Sequence, residues 1–299
     1  MEPEMIAYIV LISGILIIGI ITLVFFIPPL RTKLISSPIV RVMKSLQVIP
    51  SISPTEREAL DAGMVWIESE FFSGKPNFVT IMKEPYPNLS KEEQNFLDQQ
   101  VNVLCEMTDD WKIWSEREIP QKILDYMAKE RFFGMIIPKK YGGLEFSPLA
   151  HSEVIKKLGS CCTPVCVTVM VPNSLGPAEL LIMFGTETQK NYYLPRLADG
   201  REIPCFALTE PGAGSDASSI TSSGDLFRGD DGKLFIRLSW NKRWITLASI
   251  STIIGLAFQL RDPQRLLGKN KDLGITCALV PTKSKGVISY RRHDPLGVP

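Results

Sequence analysis

Cys205-Phe206-Ala207-Leu208-Thr209-Glu210-Pro211-Gly212-Ala213-Gly214-Ser215-Asp216 starts as a short apolar strand and runs into a turn of Gly, Ser and acidic residues. Gly212 and Gly214 carry no Cβ, so their backbone amides can come close to a flat or anionic ligand. Thr209 and Ser215 add hydroxyls that donate or accept. Gly212 to Ala217 also fits the pattern G-x-G-x-x-G/A of dinucleotide-binding turns. That pattern binds a pyrophosphate only when a helix begins at the glycines. Here the chain continues Ser218-Ser219-Ile220-Thr221-Ser222-Ser223-Gly224-Asp225, turn formers with one aliphatic residue. No helical apolar stripe follows, so the doubly wound nucleotide fold is set aside.

Outward from this stretch the hydrophobic period changes. From Ile203 onward it alternates. Leu234, Ile236, Leu238 and Trp240 fall on one face of a strand, with Arg237 and Ser239 on the other. Asp230-Asp231-Gly232 reads as a hairpin turn, and Ile250–Leu260, Gly274–Val280 and Gly286–Tyr290 read as further strands. This predicts a small antiparallel β domain over 203–299. Upstream the period is helical. Ser90-Lys91-Glu92-Glu93 is a capping box opening a helix to about Trp111, its inner face carrying Phe96, Val101, Leu104 and Met107. Pro120 opens another, with Ile123, Leu124, Met127 and Phe132. His151–Leu158 and Cys162–Val171 follow, the second readable also as a buried strand. Thr186-Glu187-Thr188-Gln189 caps a short helix with Tyr192, Tyr193 and Leu197. These helices define an α-helical domain over 89–202. The fold class is α+β.

The first segment differs in kind. Met5 to Ile27 is 23 residues without a charge, long enough as a helix, at ~1.5 Å per residue, to cross a hydrocarbon core of about 30 Å. Glu2 and Glu4 precede it and Pro28-Pro29 follows, unlike a cleaved signal peptide. Arg31, Lys33, Arg41 and Lys44 come next, so the positive-inside rule places the remainder in the cytoplasm. Residues 1–30 are therefore expected to be a single-pass anchor, and 31–88 a linker with an accessory helix. That helix starts at Ser53-Pro54-Thr55-Glu56, carries Leu60, Met64, Ile67 and Phe71, and stops at Gly74-Lys75-Pro76. For 34–52, a membrane-surface segment and a plain linker are both open.

Composition narrows the function. The 299 residues are 45% hydrophobic with a formal net charge of +1, so no basic stripe serves a nucleic acid. Cysteines stand at 105, 161, 162, 166, 205 and 277 without C-x-x-C spacing, beside only two histidines, which argues against zinc. The Cys161-Cys162-Cys166 cluster reads as reduced, buried thiols. His151 sits next to Ser152 and Glu153, but without a G-x-S-x-G elbow it reads as a surface or capping residue rather than part of a hydrolytic triad.

The stretch from Ala207 to Asp216 resembles the A-x-T-E-P-x-A-G-S-D signature of the acyl-CoA dehydrogenase family. Lys242-Arg243-Trp244-Ile245-Thr246 resembles the family's K-x-W-I-T block, and Pro138-Lys139-Lys140-Tyr141-Gly142-Gly143-Leu144 its P-x-x-Y-G-G motif. With the N-terminal apolar segment, the chain is most similar to the membrane-associated bacterial FadE-type enzymes. The resemblance implies a flavoprotein binding FAD, with Phe206, Leu208 and Thr209 along the flavin. It implies Gly214 and Ser215 at the cofactor, Ser215 also meeting the acyl-CoA ligand, Trp244 packed on the ring system, and Ile245 and Thr246 near its N5 side. It implies α,β-dehydrogenation of a fatty acyl-CoA in β-oxidation, electron transfer to an electron-transfer flavoprotein, a homo-oligomer and a bacterial inner-membrane location. An acyl-CoA oxidase and a non-catalytic membrane-anchored scaffold remain alternatives. The family's catalytic glutamate belongs to a C-terminal helical domain expected beyond Pro299, so no catalytic base is assigned in this chain, which is expected to bind flavin weakly without turnover. Leu247-Ala248 stand where many members have Asn-Gly.

Overall fold

A computed structural model describes residues 3–46, 48, 67–174, 176–289, 292, 293 and 295. The chain divides into two units, Met1–Pro85 and Tyr86–Pro299.

In the first unit, helix α1 covers Pro3–Phe26. Exposed Leu11, Ile12, Leu16, Ile20, Ile17 and Ile21 succeed one another right round it, so it has no polar face to turn to water. Helix α2 (Pro28–Arg31), a π-helical turn (Thr32–Ser36) and helix α3 (Ser37–Ser45) follow. The accessory helix predicted from Ser53 lies mostly outside the described residues; its far end appears as α4 (Glu68–Phe72), followed by α5 (Phe78–Lys83).

The second unit opens with α6 (Lys91–Asp98), whose capping box forms as expected: the Glu93 amide donates to Ser90 Oγ at 3.2 Å and the Ser90 amide to Glu93 Oε2 at 2.7 Å. The single helix expected to Trp111 is instead three pieces. The chain kinks at Gln99, resumes as α7 (Gln100–Met107), and stops where Asp109 accepts from the Lys112 amide to cap α8 (Asp110–Glu116). Breaking there leaves Val101, Leu104 and Ile113 all buried, which one straight helix would not. Helices α9 (Gln121–Lys129), α10 (Pro148–Cys161), α11 (Thr163–Ser174), α12 (Pro177–Phe184) and α13 (Glu187–Ala198) complete this layer. The run expected over Cys162–Val171 as a helix, with a strand as alternative, is helical from Thr163 on, Cys162 being the extended residue that ends α10. In the apolar run Thr163–Phe184, the most apolar 18-residue stretch is 59% buried, as in a core segment.

Phe96 sits at the centre of the helical core, 4.8 Å from Phe132 and 5.2 Å from Phe146. Buried Asn173 ties the core together, its Nδ2 donating to the Phe132 and Val169 carbonyls while its Oδ1 accepts from the Ile136 amide. His151 is half-buried rather than on the surface, and its Nε2 is enclosed without a partner; burial lowers its pKa.

The P-x-x-Y-G-G segment forms a 3-10 turn (Lys139–Tyr141) ending at Gly142, φ +83°. A Cβ on Gly143 would stand 2.1 Å from the Ile137 carbonyl oxygen. This tight return buries Tyr141 with Ile137, Ala178, Leu194, Leu197 and, from the sheet, Ile253. The motif packs helices and sheet together through this one buried cluster.

The sheet contains β1 (Pro204–Ala207), β2 (Ser223–Arg228), β3 (Leu234–Ser239), β4 (Ile253–Arg261) and β5 (Asp272–Pro281). It is mixed, not antiparallel as expected. β5 pairs antiparallel with β4 along its whole length, and β2 pairs antiparallel with β3 through the hairpin turn at Gly232. β1 and β2 both run parallel to β4, at Pro204↔Ile253 through Ala207↔Leu256 and at Ser223↔Gln259 through Asp225↔Arg261. The reason is continuity. β1 and β2 are one line of chain along one edge of β4, interrupted by a detour over residues 208–222 that does not reverse direction. Of the predicted strands, 286–290 is absent: 287–289 carry no strand pairing, and Tyr290 lies outside the described residues. The expected inner face of β3 is covered only in part: Leu238 and Trp240 pack against the cluster of Ala207, Leu256 and Phe258, while Leu234 and Ile236 are about 40% exposed.

Candidate functional site

The detour between β1 and β2 is the signature stretch. Two β4 residues, Ala257 and Phe258, have no β1 or β2 partner opposite them. Ala213 and Ile220 fold back over Ala257, with Phe206 and Leu208 packed alongside. The loop is therefore seated on the sheet rather than loose above it.

Glu210 fixes its shape. Its backbone closes a tight turn with Ala213, amide to carbonyl in both directions at 3.0 and 3.2 Å. Its carboxylate accepts from the Thr221 amide (2.7 Å), the Thr221 hydroxyl (2.8 Å), the Ser222 amide (3.0 Å) and Lys242 Nζ (2.8 Å). Burial by itself would raise this carboxyl's pKa. The bonds from Lys242, Ser222 and Thr221 outweigh it and hold the group well below the usual carboxylate range. Both side chains of the pair are 4% exposed. Lys242 Nζ also donates to the Leu208 carbonyl at 2.8 Å, and the Arg243 amide to the Thr209 carbonyl at 3.0 Å. Two sequence blocks more than thirty residues apart thus become one wall. Glu210 is committed to four donors, which leaves it unfit as a proton acceptor.

Beyond Arg243 the chain is strained. Trp244 has φ +56° and Leu247 φ +65°, a left-handed conformation uncommon for bulky side chains. Leu247 is held there because its carbonyl accepts from the Ile250 and Ser251 amides. Asn and Gly adopt that conformation more readily than Leu. Trp244 is 55% exposed, with the Arg243 guanidinium 4.4 Å over its ring and His293 6.0 Å away. Observed strain around an exposed aromatic points to a functional surface.

A cleft of about 730 Å³ opens here, lined among others by Cys205, Ala207, Trp240, Trp244 and Ile245. The predicted residues divide between two faces, as alternation along a strand requires. Trp244 and Ile245 line the cleft, next to Cys205 and Ala207. Phe206 and Leu208 point to the opposite face of β1. Thr209 is half-buried beside them, and Gly214, Ser215 and Thr246 are exposed. At Gly212 and Gly214 a Cβ would meet nothing within 4 Å, so this turn presents open backbone. Asp216 is occupied by the Ser218 and Ser219 hydroxyls, which lower its pKa. Sequence reasoning missed Lys242 as the partner of Glu210; its place at the head of the second block was the available signal. It also missed Asp262, fully buried at the end of β4, whose Oδ2 accepts from the Leu267 amide at 2.7 Å to shape the turn into β5.

Two models describe most of the chain: the acyl-CoA dehydrogenase N-terminal domain matches residues 89–201 and the acyl-CoA dehydrogenase middle domain residues 205–299. A 3-(aryl)acrylate reductase of Clostridium sporogenes is 30% identical over 72% of this chain and 52% of its own length. A subunit of the caffeyl-CoA reductase–Etf complex of Acetobacterium woodii is 33% identical over 60% of this chain and 45% of its own. The solved structure of an acyl-CoA dehydrogenase complexed with FAD from Bacillus anthracis superposes with a TM-score of 0.60 at 21% identity, covering 71% of this chain and 35% of that one, a likeness of fold. The chain spans about half the length of the curated relatives it matches.

Proposed function

Over residues 89–299 the chain belongs to the acyl-CoA dehydrogenase family, and from that premise we propose that it binds FAD at the wall joined by Glu210 and Lys242 and serves the α,β-dehydrogenation of an acyl-CoA thioester. The observation that carries this reading is the 2.8 Å buried pair itself, because it makes one rigid surface of the two signature blocks. The donor set fits a flavin. Thr209 offers a hydroxyl from a half-buried position, Gly214 an open amide and Ser215 an exposed hydroxyl, while Trp244 offers an apolar face at a cleft rim. When bound, FAD supplies the hydride acceptor. The protein's part is to hold such donors rigid, where charge that develops on reduction is met without reorganisation. Ser215, exposed on the open turn, is the residue proposed to meet the acyl-CoA ligand.

Fatty-acid β-oxidation is the proposed setting and an electron-transfer flavoprotein the proposed electron acceptor, supported by the Etf-complex relative. A second reading, reduction of an α,β-unsaturated thioester, has a specific support: two relatives are named as a 3-(aryl)acrylate reductase and a subunit of a caffeyl-CoA reductase–Etf complex. The same wall would serve hydride transfer in that direction, the redox partner deciding which way it runs. We also propose that α1 spans a bacterial inner membrane and places the globular unit on the cytoplasmic side. Its 24 residues, about 36 Å of helix at ~1.5 Å per residue, are apolar all round. Anaerobic mixing of full-length, FAD-loaded protein with saturated and with α,β-unsaturated acyl-CoA tests the chemistry. Bleaching of the flavin by the saturated thioester supports dehydrogenation; no response to either thioester by any dithionite-reducible preparation, oxidised or pre-reduced, refutes both directions.

A further inference from the structure

The first unit turns a right angle after α1: the axis of Leu11–Phe26 and that of Pro28–Ser45 differ by 92°. Pro28 and Pro29 at the start of α2 and the π-helical turn at Thr32–Ser36 accompany the bend, both known ways of redirecting a helix. Beyond it the chain changes character. Projected at 100° per residue, Ser37, Arg41, Lys44 and Ser45 share one side of α3. Ile39, Val42, Met43 and Leu46 share the other, with Val40 at its border. Ile39, Val42 and Leu46 are each more than half exposed, so no protein covers that apolar side among the described residues. Residues 28–48 contain Arg31, Lys33, Arg41 and Lys44 and no acidic residue. Arg41 and Lys44, together with the hydroxyl-bearing Thr32, Ser36 and Ser37, border a shallow notch of about 410 Å³.

An apolar-all-round helix joined at a right angle to a basic amphipathic one matches the two orientations a bilayer allows: across it and along its surface. We propose that α3 lies flat on the membrane with Ile39, Val42, Met43 and Leu46 in the headgroup–acyl boundary, while Arg31, Lys33, Arg41 and Lys44 recognise anionic phospholipid headgroups. This rests on the proposed spanning role of α1. The occupant is a lipid surface rather than a protein groove, because the charge is of one sign and set beside the point where α1 would leave the bilayer. Juxtamembrane basic residues attract an anionic leaflet by an amount equivalent to about fivefold in affinity each.

Hydrogen exchange of the full chain reconstituted in vesicles tests this. Vesicles of phosphatidylcholine alone are compared with vesicles containing phosphatidylglycerol, for wild type and for the double variant R41Q/K44Q. The inference predicts slower exchange over residues 28–46 when phosphatidylglycerol is present, and a loss of about thirtyfold of that lipid-dependent protection in the double variant. Amides of residues 3–26 stay protected in every case. Equal protection of 28–46 with and without anionic lipid, or an unchanged double variant, overturns the proposal for α3. Rapid exchange over 3–26 in both vesicle types instead overturns the spanning role of α1.

Discussion

Replacing Lys242 by Met removes a buried cation from a carboxylate that remains. Glu210 would keep the Thr221 and Ser222 donors but lose the charge 2.8 Å away, and the Leu208 carbonyl would lose its 2.8 Å donor. Breaking one side of a buried pair costs about 3–5 kcal/mol, chiefly from the charge left behind. In a unit of this size, at ~2–4 °C per kcal/mol, the Tm falls by roughly 6–20 °C. Glu210→Gln strands the cation instead and costs a similar amount. The double variant E210Q/K242M strands neither, so its loss is clearly smaller than the sum of the two. Glu210 has a lowered folded-state pKa, so its contribution is complete above the unfolded-state value, about 4.3, and fades as pH falls below that toward the folded value. Urea denaturation of the purified chain, followed by tryptophan fluorescence from pH 3 to 8, measures these quantities. Additive single losses, or a K242M variant within 1 kcal/mol of wild type at pH 7, would refute the clamp.

Other sites give independent checks. Leu247→Gly relieves a side chain at φ +65° and raises stability by about 1 kcal/mol in the same assay. Gly143→Ala drives a Cβ to 2.1 Å from the Ile137 oxygen and costs on the order of 3 kcal/mol, whereas Gly142→Ala, in open space at φ +83°, costs about 1. Glu93 is 7% exposed; burial opposes its ionisation, but amides of Ser147 and Ser90 lower its pKa to about 2. Glu93→Gln therefore costs up to about 3 kcal/mol at neutral pH, a difference that disappears as pH drops from about 4.5 to about 2. Asn173→Ala frees the Ile136 amide and the Phe132 carbonyl, costing about 2–3 kcal/mol and speeding hydrogen exchange at Ile136.

Features set by local chemistry were legible in the sequence. The capping boxes at Ser90 and Thr186 form with both reciprocal bonds, and the turn at Gly232 joins β2 to β3, because each depends on residues three or four apart. What depended on long-range pairing was not legible. Alternation over 223–261 shows that strands exist but not their direction. The mixed sheet arises because 208–222 detours without reversing, a geometry set by Glu210 reaching Thr221, Ser222 and Lys242. Leu234, Ile236 and Leu238 of β3 alternate as in a core strand, yet only Leu238 is packed against the core while Leu234 and Ile236 stay exposed, since periodicity reports a face and not what covers it. In the site, the glycine turn was picked out by residue type, and Trp244 by the resemblance of Lys242–Thr246 to a K-x-W-I-T block. Their division between the two sides of β1, with Phe206 and Leu208 away from the cleft that holds Trp244, required the strand itself.

The central claim is that the two signature blocks form one flavin-binding wall. A titration of the full-length protein, stripped of flavin, with FAD tests it most directly, comparing wild type with W244A and K242M by quenching of flavin fluorescence. The account predicts saturable binding by wild type that weakens at least about tenfold, roughly 1.4 kcal/mol, in W244A, and in K242M at a temperature where that variant is still folded. Equal FAD affinity in all three proteins, or no binding by the wild type, would contradict it.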